Sequence, residues 1–181
     1  MRGGSGLRVI QLGLLLLGFT VLGFGCAQGS LSDRDSRLEQ SRLQAEARRR
    51  ELQLVAGEYA GSSVQPNGAT HEIVLRLTIV DSPTVVEGQP EPILMPGLSG
   101  FARFYLGTNE YIVFAIDKAA FDVLNSRVEL VAVHSEYKEL LISLVRVESE
   151  MNGTWTAPSM SVSGTIHLTQ VPLSSDGRGG E

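Results

Sequence analysis

With 181 residues, 43% of them hydrophobic, and a formal net charge of −5, the chain has the length for one core domain and an acidic overall balance. That balance excludes a nucleic-acid-binding protein working through a broad basic face. A single cysteine excludes an internal disulfide.

Met1 to Arg8 carries Arg2 and Arg8 and no acid, and the following run from Val9 to Gly25 has only Gln11 and Thr20 as clearly polar members. A cationic start, an apolar middle and small residues at the end are the layout of a secretory signal peptide. The run falls short of the ~20 apolar residues of a spanning helix. Its glycines weaken it further as a permanent span, so a cleaved signal is preferred to an uncleaved anchor.

The lone cysteine closes that run, in LGFGCAQG (Leu22 to Gly29). Gly25-Cys26 resembles the lipobox of bacterial lipoproteins, where a cysteine after small residues is diacylated, becomes the first residue after cleavage and is then N-acylated. Gly23 stands where that pattern has leucine, Leu22 lies one place further back, and Phe24 is bulkier than the pattern's residue. The resemblance implies a signal peptide over 1–25 and lipid attachment at Cys26. It also implies a membrane partner through the acyl anchor, since each buried methylene contributes ~0.8 kcal/mol. Ala27-Gln28 in place of an aspartate after the cysteine implies the bacterial outer membrane; the domain is expected on its periplasmic face.

Residues 26–56 form the lipidated N-terminus and a spacer. Leu31 to Val55 lacks proline and glycine and is rich in Arg, Glu, Gln, Leu and Ala, which predicts a helix. Ser32 or Asp33 is placed to cap its start, and Gly57 marks its end. Leu31, Leu38, Ala45 and Leu52 recur every seven residues, but the companion positions Arg34, Ser41 and Arg48 are polar. A coiled-coil seam needs both positions apolar. The expectation is therefore a solvated spacer helix whose apolar end (Leu52, Leu54, Val55) docks on the next domain. Arg48-Arg49-Arg50 reads as a solvated face, with anionic headgroups as the alternative contact.

From 57 to 171 the period changes to two. Ile73, Leu75, Leu77 and Ile79 alternate strictly within THEIVLRLTIV. GFARFYLG and EYIVFAI flank Gly107-Thr108-Asn109 as a hairpin. RVELVAV, ELLISLVRV, TWTA and VSGTIHLTQ follow, with Asn152-Gly153 as the strongest turn dipeptide. Short connections predict an all-β domain. It is a single antiparallel meander of eight or nine strands, forming a small barrel or sandwich. The opening GEYAG and closing SGTIHLT loosely resemble the lipocalin-like barrels of bacterial envelope proteins. Residues 172–181, rich in Ser and Gly, read as a disordered tail.

One connection stands apart. Asp81 to Gly100 carries Pro83, Pro90, Pro92 and Pro96, which argue against a central strand across most of it. Within this long loop Ile93, Leu94 and Met95 form an apolar triplet, read as a plug for one barrel end, or else as a lid over a cavity or a docking patch.

Reactive chemistry is thinly represented. Ser135 to Lys138 matches S-x-x-K, but between two strands and without the companion motifs of penicillin-binding enzymes. His71-Glu72 begins H-E-x-x-H, but Leu75 occupies the second histidine's place. His71 is expected near a rim on the apolar face, and His167 on the opposite face from Ile166 and Leu168. Trp155, Tyr59, Phe101 and Phe104 are candidates for cavity lining or plain core. Between residues 57 and 171, thirteen acidic side chains face six basic ones, which reads as a solubilising outer surface. No catalytic, cofactor-binding or metal-binding residue is assigned. The expectation is a non-enzymatic, membrane-anchored envelope lipoprotein with a β domain for binding or assembly. Its partner is an unknown envelope protein or, in a lipocalin-like carrier, a small apolar ligand; a hydrolase is the remaining reading.

Overall fold

The alternating face of Ile73, Leu75 and Leu77 turns inward and is fully buried in the computed structural model, which describes residues 31–85 and 92–172. It belongs to a closed antiparallel barrel of eight strands. These are β1 (Gly57–Val64), β2 (Thr70–Thr84), β3 (Ile93–Tyr105), β4 (Tyr111–Asp122), β5 (Arg127–His134), β6 (Lys138–Val147), β7 (Glu150–Ala157) and β8 (Val162–Gln170). Each strand pairs with the next, and β8 returns to β1 with Ser63 opposite Ile166. The meander is thus a barrel, not a sandwich, and closure removes the exposed edges an open sheet would carry. Eight strands enclose a space that side chains can fill. Tyr59, Leu75, Leu130, Leu144, Met151 and Leu168 fill it.

The Gly107-Thr108-Asn109 hairpin forms as expected, with Leu106 N–H donating to the Glu110 carbonyl at 2.8 Å. Asn152-Gly153 does not form a turn. The β6–β7 turn falls at Glu148-Ser149, between the paired residues Val147 and Glu150, and Glu148 adopts a φ of 54°. Gly153 lies inside β7, where a Cβ would collide with the Ser143 carbonyl oxygen of β6. Glycine is there because two backbones approach closely at a bend.

The proline-rich loop is also shorter than expected. β2 continues to Thr84 and β3 begins at Ile93, pairing Asp81 with Pro96 and Pro83 with Leu94. Beyond Leu77, β2 has lost β1, and before Phe101, β3 has not yet met β4. Residues 78–84 and 93–100 therefore form a two-stranded arm that leaves the barrel. A ribbon edge tolerates proline because no outer neighbour asks for its N–H. The two prolines also sit at pairs of the same kind, two apart, so neither missing N–H need interrupt the ribbon.

A helix, α1 (Leu31–Gln53), lies along β3 and touches β2. Leu38, Ser41, Ala45, Arg48 and Leu52, each partly or fully buried, follow one another at alternating three- and four-residue steps, one stripe of a helix. The helix is thus a packed strut over its second half, not a fully solvated spacer. Its polar positions face a strand edge: Arg48 Nη1 donates to the Phe121 carbonyl of β4 at 3.3 Å and to Glu51 at 2.9 Å. Arg49 forms an ion pair with Asp81 of the arm. Leu52 and Val55 are buried in the barrel end, while Leu54, expected to dock with them, is 48% exposed. Tyr59 locks this end by donating its hydroxyl to the Val55 carbonyl at 3.1 Å.

Candidate functional site

Helix α1 stoppers one end of the barrel; the other end is bounded by turns and, between β7 and β8, one turn of 3-10 helix. There the core gives way to a pocket of ≈ 210 Å³. Phe104, Ile112, Phe114 and Leu140 make an apolar wall, and Leu106, Met160 and Val162 form the rim. Trp155, His71 and Gln65 line it as well. Alternation supplies the deep members, since Phe104, Phe114, Leu140 and Trp155 occupy inward positions of their strands. Leu106 and Gln65 come from turns, and Met160 ends a short 3-10 helix (Pro158–Met160) between β7 and β8.

The aromatic rings are held against one another. Phe104 packs edge-on to Phe114 at 6.0 Å and tilted against Trp155 at 5.5 Å between ring centres. His134 lies 5.6 Å from Phe114 and 4.9 Å from Tyr137. Its Nδ1 accepts the Glu136 and Tyr137 backbone N–H groups at 3.1 and 3.3 Å, so this nitrogen is the unprotonated one and the imidazole pins the β5–β6 turn.

Trp155 also lines a second hollow of ≈ 490 Å³ on the outer wall, with Val64, Pro66, Thr154, Thr156 and Thr165. That hollow is larger but open to solvent along its length. It arises where β1 turns away above Val64 and leaves the start of β8 without a partner on that side. Enclosure and apolar lining favour the mouth pocket as the binding site.

The structure distributes the sequence candidates as follows. Cys26 lies outside the described residues. Ile93, Leu94 and Met95 begin β3 on the arm, with Leu94 58% exposed, and are absent from the mouth pocket. The triplet neither plugs the open end nor covers the pocket, because strand pairing with Thr84, Pro83 and Ser82 carries it away from the barrel. His71 is at the mouth, on the inward face, as its parity predicts. Phe101, by contrast, faces outward, with the Arg103 guanidinium 5.2 Å from its ring centre. Tyr59 is core at the closed end. Phe104 and Trp155 alone of the four aromatic candidates line the pocket.

Two serines bear on the hydrolase reading. Ser135 is exposed in the β5–β6 turn, and Lys138 Nζ donates to its carbonyl at 3.4 Å rather than meeting its hydroxyl. On the outer wall Ser62 sits opposite His167, whose Nδ1 meets Asn152 Oδ1. Among the described residues no hydrogen bond joins Ser62 to His167, so that hydroxyl lacks the base contact that activates a serine. Among the described residues no group of three or more His, Cys, Asp or Glu side chains is placed to hold a metal ion.

No family model, no curated protein and no solved structure matches the chain.

Proposed function

We propose that the chain is a non-enzymatic, lipid-anchored envelope protein whose barrel mouth binds a small apolar molecule. The supporting observation is the pocket itself: an apolar hollow of ≈ 210 Å³ at the open end of a barrel whose other end is stoppered. An empty apolar hollow forfeits contacts its lining would otherwise make, so filling it with an apolar group is favourable. The volume admits a molecule the size of a substituted benzene, not a long acyl chain.

The anchor reading rests on Cys26 and on where the chain enters the fold. Helix α1 begins five residues after Cys26 and runs beside the arm into the stoppered end. A tether at Cys26 therefore turns that end toward the membrane and the mouth away from it. Among the described residues no helix is long and apolar enough to cross a membrane.

Toluene tests the pocket. Trp155, the sole tryptophan in the chain, lines it and reports on occupancy. Toluene titrated into the protein is expected to shift the Trp155 emission saturably. Met160→Glu, which places a charge on the exposed rim, is expected to weaken that response about tenfold or more, since burying an apolar molecule beside an unpaired charge is costly. An emission unchanged up to the solubility of toluene would overturn the assignment.

A further inference from the structure

The lining of the mouth pocket is polar along one arc only. His71 and Gln65 form that arc, and the other lining side chains are apolar or present only an aromatic ring. Trp155 is of the second kind, because its Nε1–H is enclosed against Gly164. The two polar residues are neighbours by register. His71 stands opposite Ser63 across the β1–β2 pair, and Gln65 follows Ser63 by two residues. Such diagonal neighbours have backbones ~7 Å apart, so two long side chains can reach one small group between them. Both are half-buried, and among the described residues neither the imidazole nor the side-chain amide has a hydrogen-bond partner.

The hydrocarbon part lies deeper. Phe104, Phe114, Leu140 and Trp155 are buried, and Phe104 pairs with Ile73, two residues further into the barrel than His71. A ring packed against Phe104 and Phe114 therefore directs a substituent outward, to the level of the polar arc. No lysine, arginine, aspartate or glutamate lines the pocket, so a charged ligand would lack a counter-ion there. A primary amide and a neutral imidazole each offer both a donor and an acceptor. A hydroxyl is the smallest neutral group that uses both, donating to one side chain while accepting from the other.

We infer that the mouth pocket takes a small neutral ring compound carrying a hydroxyl, with the ring inward against Phe104 and Phe114 and the hydroxyl held at the mouth between Gln65 and His71. This rests on the mouth pocket being a binding site at all, and the test separates the two. The compound p-cresol is toluene with one added hydroxyl. Titration calorimetry above the ordinary histidine pKa of ~6.5 compares them with the imidazole neutral. The unmodified protein is expected to bind p-cresol at least as tightly as toluene. A mouth that left the hydroxyl unpaired would favour toluene about tenfold or more.

Gln65→Leu and His71→Leu are each expected to lower the ratio of p-cresol to toluene affinity about fivefold or more, since each leaves one contact to the hydroxyl unmade. Two variants keep the test decisive should one fold poorly. In the unmodified protein, one histidine imidazole signal is expected to shift with p-cresol and little with toluene, and to be the signal missing from His71→Leu. A ratio unchanged in both variants would mean that water alone serves the hydroxyl, and would overturn the inference while leaving the pocket standing. Toluene binding about tenfold tighter than p-cresol to the unmodified protein would do the same. Binding of neither compound would remove the pocket reading and this inference together.

Discussion

Tyr59 shows how one side chain ties the closed end together. It is fully buried and donates to the Val55 carbonyl at the end of the α1 segment. Burial pushes its phenol pKa up, and the nearby Arg146 guanidinium, on β6, opposes that shift. A raised folded-state value means the stability contribution is complete below the ordinary tyrosine pKa of ~10 and is lost as pH rises through the folded value. Tyr59→Phe is expected to cost about 1 kcal/mol near neutrality from the lost hydrogen bond. Above pH ~10 the same variant is expected to lose less stability with rising pH than the parent. Urea denaturation at stepped pH measures both; parallel stability–pH curves would contradict the assigned environment. At this scale parity was a sound guide, placing His71 inward and His167 outward. It could not identify Gln65, Leu106 or Met160, which reach the pocket from the connections between strands, where the strand period does not operate. Nor could it show that Gly153 serves close strand contact, because Asn-Gly reads the same in a turn and in a bend.

The arm and α1 are intelligible only together. Their polar and apolar residues look mismatched in isolation: prolines in a ribbon, arginine on a heptad stripe. Pairing resolves both, since the prolines sit on strand edges with no outer strand beside them and Arg48 meets the Phe121 carbonyl on the part of β4 that β3 does not pair. The heptad of Leu38, Ala45 and Leu52 was visible in the sequence, but its partner was not, because a strand edge distant in sequence, such as the one carrying the Phe121 carbonyl 73 residues from Arg48, leaves no local mark. Leu52 joins helix to barrel. Leu52→Ala removes a fully buried side chain and is expected to cost about 2–5 kcal/mol. Hydrogen exchange across residues 40–53 should rise with it. A loss below ~1 kcal/mol with unchanged exchange would show that the helix is not part of the core, because surface truncations fall in that range.

At the scale of the molecule, the eight-stranded meander follows from strands that alternate in polarity and connections too short for anything but antiparallel neighbours. Closure between β1 and β8 was not readable, since it depends on bends and on stagger accumulated around the whole sheet. The pocket was even less so: it is the space left where inward side chains stop short of the turns. Under the proposed function, acyl chains on Cys26 would hold the stoppered end toward the membrane and leave the mouth facing away from it. Native mass spectrometry of the protein extracted gently from its own membrane tests this most directly. The account predicts a chain beginning at Cys26, carrying two or three acyl chains and a further small-molecule mass that toluene displaces. A chain beginning at Met1 without acyl groups, and with no displaceable mass, would contradict it.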